Sequence, residues 1–428
     1  MELNDVKKYG AICLLSFSPM FLRAQSVIID GELRPRTEYR DGYGAPNADG
    51  TDPGVFTIQR TRLGMTYTSG LLNAQITVQD ARTYGQFANA SSDATTGLYE
   101  AWGEMLLVPG GSLKVGRQAL KYDDNRLFAA SDWSNTGTSH DLALFKYGLN
   151  DFQANIGLAY NNSSAISTET YYSSTVKYRY MGLLWLSKDL FKGLNLSALL
   201  VDEGVQDTLS TGLKKYKKIT MNHTYTFGGN LKYQSPDAKW KVLGTAYFQA
   251  GKNSTGSEMA GSMLAIKANY AISKIFSANL GTDYYSGDDN TSDSKQYNFK
   301  KLYGSDHSFN GSMGYWSTPL TQGLLDYYGG VTSKVSDKTS LEGAYHVFDT
   351  DKKLSSGGKD IGSELDLIIN QKINPITTMQ VGWSAYFKTD NLLVAKKITA
   401  GTKVRFPQWA YVMLTIKPVF LNMSSVNK

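Results

Sequence analysis

One cysteine, Cys13, stands in 428 residues, so a disulfide framework and a thiolate metal centre are both excluded. Charge is also scarce. Asp, Glu, Lys and Arg make up 19% of the chain, and its negative mean hydropathy therefore rests on Asn, Ser, Thr, Gly and Tyr. A helix-rich soluble enzyme draws on more Lys, Glu, Ala and Leu than this. The net charge of +6 is spread along the chain, and the lack of a Lys/Arg block argues against nucleic acid as a partner. No phosphate-cradling glycine loop is visible, which leaves no ATP site. No stretch reaches ~18 consecutive apolar residues, so no membrane-spanning helix is expected. What is abundant points elsewhere: 41 glycines and 28 tyrosines suit many strands joined by polar turns.

Residues 1–26 carry Lys7 and Lys8, then an apolar run over 11–22, then the small residue Ala24. This is the order of a secretory signal peptide, expected to span 1–24. The run is too short to cross a bilayer. Cys13 lies within it rather than after it, which excludes a lipoprotein signal. The mature chain then has no cysteine, and it is either soluble or a barrel whose membrane signal is divided among short strands.

From Val27 onward the residues alternate with a period of two. Val27, Ile29, Gly31 and Leu33 fall on one face, and Asp30, Glu32, Arg34, Arg36 and Glu38 fall on the other. That is a strand with a charged face, not a helix. The pattern predicts eighteen strands, from 27–40 and 54–69 to 377–388 and 407–420, with an uncertainty of two in the count. Pro35 predicts a bulge in the first strand. The segment 139–149 lacks clean alternation, and 309–318 reads as loop. Every second link is a tight turn, such as Ser69-Gly70 or Asn374-Pro375, while 41–53, 121–138, 204–220 and 288–322 are long and polar. A Greek-key sandwich has no reason to sort its loops in this way. The expected fold class is all-β: a transmembrane antiparallel β-barrel of about eighteen strands over 25–420, with short periplasmic turns and long extracellular loops. The 121–138 and 288–322 loops are candidates to fold inward as constrictions. The last strand ends on Phe420, an aromatic of the kind read by outer-membrane assembly machinery, and 421–428 is left as a tail of no assigned role.

Residues 113–141, LKVGRQALKYDDNRLFAASDWSNTGTSHD, resemble the signature of the alginate export family of outer-membrane barrels. QRTRLG at 59–64, KLYGSDHSFNG at 301–311, IGSELDLIINQKIN at 361–374 and WAYVMLTIKPVF at 409–420 are similar to that family too. The resemblance implies an eighteen-stranded barrel with a narrow, charged channel for an anionic polyuronate. Two positions depart from the pattern: Thr138 where an arginine is expected and Gly314 where an aspartate is expected.

The expected partners are outer-membrane lipid and an anionic solute, a polysaccharide or sugar acid, in an arginine-lined lumen. No cofactor is expected. Arg34, Arg36, Arg60 and Arg62 come from neighbouring strands and can form one electropositive ladder, because the guanidinium fork pairs bidentately with carboxylate. Arg117 and Arg126 extend the path, although Arg117 shares parity with Val115 and reaches the lumen only through a bulge. Asp30, Glu32, Glu100, Glu104, Glu364 and Asp366 complete the expected pore lining, and with Glu38 they can pair with the arginines instead. A purely structural role for the arginines stays open on the sequence alone, as does a general or small-anion porin. A barrel-embedded hydrolase using His140 or His346 is the alternative from another class. Asp123-Asp124-Asn125 and Asp288-Asp289-Asn290 with Asp293 offer oxygen ligands but lack calcium-loop spacing. Most tryptophans are expected in interfacial girdles, leaving Trp133 and Trp316 as sugar contacts.

Overall fold

The structure is a computed structural model, and it describes residues 25–87, 95–168, 172, 178–206, 221–289, 294–305 and 307–424. The segment 1–24, Asn290, Asp293 and 425–428 lie outside the described residues. Eighteen strands close into one barrel. The first six are Ser26–Asp41, Gly54–Thr68, Leu72–Thr83, Gly97–Val108, Gly111–Gln118 and His140–Leu149. Phe152–Tyr160, Tyr180–Phe191, Leu194–Gln206, Met221–Gln234, Trp240–Gly251 and Ser262–Ala271 follow. The last six are Phe276–Tyr285, Leu324–Lys334, Thr339–Asp349, Asp360–Asn374, Thr377–Phe387 and Gln408–Ile416, the eighteenth continuing as Val419–Ser424. Each strand pairs antiparallel with the next, and the first pairs with both the second and the eighteenth, which closes the ring. Closure leaves no free sheet edge, as a bilayer demands. No helix among the described residues is long and apolar enough to cross a membrane.

The alternation read from the sequence sets the two faces. Leu33, Leu63, Met65, Ile76, Leu264 and Leu280 are exposed on the outer surface, where lipid replaces water. Glu32, Arg34, Arg36, Glu38 and Arg60 are buried on the inside. Short turns sit at the end that carries both described termini, and the long links gather at the other.

Pro35 does not produce the expected bulge. It stays in register with Gln59, and its missing donor falls on the seam, where pairing with the last strand skips from Leu33↔Ile416 to Arg36↔Met413 without a shift. The irregularity lies lower, between Ile29↔Leu421 and Asp30↔Val419, where Phe420 of the last strand is the extra residue; just above it Gly31 N–H donates to the Pro418 carbonyl at 3.0 Å. Beyond Phe420, residues 421–424 continue to pair with the first strand.

The weak alternation of the sixth strand has a packing cause. His140, Leu142 and Leu144 point inward, and Met181, Leu183, Leu199 and Val201 do the same on the eighth and ninth strands. They bury Leu120, Leu127 and Phe128 of the 119–139 link, which enters the barrel. A strand that meets lipid on one side and an inserted loop on the other is apolar on both. The described part of 286–323 also lies inside, so the lumen holds a packed core. A six-residue helix, Asp390–Ala395, lies in the last long link.

Candidate functional site

The four ladder arginines converge on one stretch of the first inward loop. Arg34 donates to the Asp132 carbonyl, to that of Trp133 at 3.2 Å and to that of Ser134 at 2.7 Å. Arg36 reaches the Trp133 carbonyl at 2.8 Å and lies over the Trp133 ring. Arg60 contacts the carbonyls of Asp132 and Ser134 and the Asp132 carboxylate at 2.9 Å. Arg62 meets that carboxylate at 3.3 Å, the Thr136 carbonyl at 3.2 Å and the Tyr99 ring. Gly137 makes the approach possible: at φ +76°, a Cβ there would lie 2.8 Å from Arg62 Nη2. Burial works against the charge on Asp132, but Arg60, Arg62 and Arg34 hold its carboxyl below the usual carboxylate range.

Acids on the same wall balance only part of this charge. Glu32 pairs with Arg60 at 2.6 Å and Lys417 at 3.2 Å, and Glu38 pairs with Arg36 and Arg40, each at 2.8 Å. Arg34 makes no ion pair among the described residues.

The far end of the loop is tied to the opposite wall. Arg126 grips Asp283 bidentately, both contacts at 2.7 Å, and also reaches Asp124 and Tyr285. Burial opposes its charge, yet Asp283, Tyr285 and Asp124 hold the guanidinium charged more firmly than a free one. Asp123 accepts from Trp185, Ser197 and Tyr247, and Asp124 accepts from Thr245. These carboxylates staple the loop to the wall rather than form a calcium loop.

The second inward loop is held by acceptors on the wall rather than by donors. The Ser312 and Met313 N–H groups donate to Glu364, the latter at 2.8 Å, and Glu364 is fully buried. Asp366 accepts from Ser384 Oγ. The two loops meet where His307 stacks on Trp133, ring centroids 3.9 Å apart. Burial and nearby Arg36 push the His307 imidazole down to about 3. Gly314 has φ +71°, and a Cβ would press on the Tyr43 ring at 3.0 Å, so an aspartate there would have to displace that ring. Thr138 closes the first loop by donating its N–H to the Ala130 carbonyl at 2.8 Å.

The sequence model for alginate export matches residues 26–403. The chain belongs to the alginate export family. Among solved structures, this family member is similar to Pseudomonas aeruginosa OccK11 (OpdR), at 12% identity, TM-score 0.61, covering 93% of this chain and 96% of the other. It is also similar to Acinetobacter baumannii OccAB1, at 12% identity and TM-score 0.62, covering 92% and 97%. The outer membrane protein opdK of Pseudomonas aeruginosa matches at 11% identity and TM-score 0.60, covering 94% and 99%. These likenesses show the fold, and no curated protein matches the sequence. This member of the family is a channel of the Gram-negative outer membrane.

The remaining predicted residues of this channel divide. Asp30 faces inward and is exposed near the periplasmic mouth, opposite Gly64. Glu100 accepts from the Ala119 N–H at 2.9 Å, and Glu104 from Ser112 and Lys146. Arg117 is a correction. No bulge turns it; it stays in register with Ala101 and Asp141, shares the outer face with Val115 and pairs with Asp141 at 2.9 Å. The tryptophan expectation is corrected as well. Trp102, Trp185 and Trp409 point inward, where they meet Lys114, Asp123 and Glu38, leaving Trp240 and Trp383 outside. Trp133 is covered by His307 and Arg36, and Trp316 is fully buried and donates to the Tyr386 hydroxyl, so neither offers a free face to a sugar.

His140 meets the Tyr178 hydroxyl at 3.0 Å and His346 meets Asp326 at 2.9 Å, and no serine is hydrogen-bonded to either among the described residues. Asp132, Asp283 and His307 are the contributors that sequence reasoning missed. The signal for Asp132 was available: the 121–138 loop was already a candidate to fold inward, and its apolar Leu127-Phe128 pair has to hide and carries the following residues with it.

Proposed function

We propose that this outer-membrane channel passes an anionic solute, a polyuronate or a sugar acid, along the wall of Arg34, Arg36, Arg60 and Arg62. The observation that carries the reading is Arg34: a buried guanidinium whose hydrogen-bond partners are neutral backbone carbonyls of 132–134. A carbonyl accepts from the guanidinium but leaves its charge unpaired, whereas a carboxylate accepts in the same fork geometry and adds the attraction of opposite charge. A solute carboxylate therefore competes well for Arg34, and the 132–134 segment yields as it binds. The other cations on this wall, partly balanced by Glu32, Glu38 and Asp132, draw anions into the lumen. Interspersed acids keep the residence short enough for release.

The test is reversal potential across a planar bilayer under a salt gradient, with uronate oligomers then added. Wild type is expected to prefer anions and to be blocked by the oligomers. Replacing Arg34, Arg36, Arg60 and Arg62 by Ser should abolish both. The single change Arg34→Met removes no ion pair from the described residues and should weaken block at least ten-fold. Unchanged selectivity and block in both variants would leave the arginines as loop scaffold and make the protein a general porin.

A further inference from the structure

The first inward loop lays a carboxylate of its own over the arginine wall. Asp132 is the only charged residue between Leu127 and Ser139, and it lands on two guanidinium groups. Arg60, wholly buried, reaches its Oδ1 at 2.9 Å, and Arg62, 11% exposed, reaches the same atom at 3.3 Å. The Asp132 side chain is itself 55% exposed, and its Oδ2 has no hydrogen-bond partner among the described residues. The arrangement is a buried basic floor with one accessible acid on top.

The two acids on Arg60 differ in kind. Glu32 is buried on the first strand and is held by Lys417 as well, so it belongs to the wall. Asp132 belongs to a loop whose backbone is already secured without its side chain. Arg34, Arg36 and Arg60 hold the carbonyls of 132–134, Arg62 holds that of Thr136, and Asn135 donates to the Gln59 carbonyl at 3.1 Å. The Asp132 carboxylate is also a poor match for two forks. A guanidinium pairs best when each N–H meets its own oxygen. Asp132, fixed at its Cα, brings one oxygen to both arginines, whereas a carboxylate free to turn in the lumen can bring one to each.

We propose that Asp132 is a tethered stand-in for the solute: it occupies a carboxylate site formed by Arg60 and Arg62, and the carboxylate of a uronate or sugar acid binds there by displacing it. The proposal rests on the reading that an anionic solute follows the arginine wall. A tethered competitor acts at an effective concentration in the millimolar range, so it sets the solute level at which the site fills. It also returns when the solute moves on, which keeps two buried arginines from holding an anion in place.

The half-blocking concentration of a galacturonate trimer, measured on the whole barrel in a planar bilayer, tests this. Asp132→Asn keeps the side chain's size and an oxygen for the arginines but loses the competing charge; it should lower the half-blocking concentration about ten-fold. Conductance should not change, because the arginines still hold the loop backbone. Asp132→Glu retains the charge and should stay within about two-fold of wild type. Glu342→Gln controls for charge alone: Glu342 is exposed on the inner face of the fifteenth strand and accepts from Asn370 at 2.7 Å. Removing that carboxylate, which touches none of the four arginines, should also move block by no more than about two-fold. The proposal is overturned by a half-blocking concentration that Asp132→Asn leaves unmoved or raises, or that Glu342→Gln lowers equally. Tighter block that comes only with the larger, noisier current of a released loop overturns it too. Failure of the anion reading looks different. The four-arginine variant then keeps selectivity and block; with that reading intact and this one wrong, it loses both while Asp132→Asn gains nothing.

Discussion

The two inward loops share one lumen and are held by opposite chemistry. Guanidinium groups seize the carbonyls of 132–136, whereas the Glu364 carboxylate receives the N–H groups of Ser312 and Met313. A peptide backbone carries donors and acceptors in equal supply, so a wall of donors or a wall of acceptors can hold it. The difference lies in what releases each loop. An anion competes for the arginines and loosens the first loop; a donor competes for Glu364 and loosens the second.

The strongest way to break this contrast is Asp283→Ala. It leaves Arg126 buried without its bidentate partner, a loss of about 3–5 kcal/mol. Denaturant melting in detergent should show the lower midpoint, and single-channel records should show larger, noisier current as the far anchor of the first loop lets go. A smaller effect is expected from Glu364→Gln, which keeps an oxygen acceptor for the Ser312 and Met313 N–H groups but puts an amide in place of the second oxygen, at about 1–2 kcal/mol. Its conductance noise should rise while the anion preference stays fixed. A shift in preference would show that the loops move as one body.

The smallest effect sharpens the comparison at the point where the loops meet. His307 is neutral in place, its imidazole held down to about 3, whereas a released His307 takes a proton below about 6.5. A group whose folded value is depressed in this way binds more protons when released, so stability falls as pH falls through the window from 6.5 to 3. Open-state flicker should grow over that window and vanish in His307→Phe, which keeps the stack on Trp133. Flicker independent of pH would place the weak contact elsewhere.

The barrel was legible because its signal is local. A period of two, with turn residues at every second link, places all eighteen strands to within a few residues at their ends; the largest offset is the start of the eighth strand, predicted at 174 and observed at Tyr180. The inward arginines were legible for the same reason. What each arginine touches was not, because Asp132 lies 98 residues from Arg34, and alternation along a strand says nothing about a loop returning through the lumen. Arg117 shows the limit in miniature. Family-like context suggested the lumen, parity suggested the outside, and with no bulge in the ladder parity decided. The tryptophans misled because a girdle residue and an inward anchor differ by one place in the alternation.

The first loop is bound to the first two strands at one end and to the eighth to eleventh and the thirteenth at the other. In mechanical terms it is a chord across a ring. A closed sheet can flatten into an ellipse while its ladder bonds stay intact, but a chord of fixed length resists that change. Sideways pressure from a crowded membrane therefore loads the guanidinium–carbonyl contacts before any strand pair, which makes the arginine cluster the part that feels the shape of the wall.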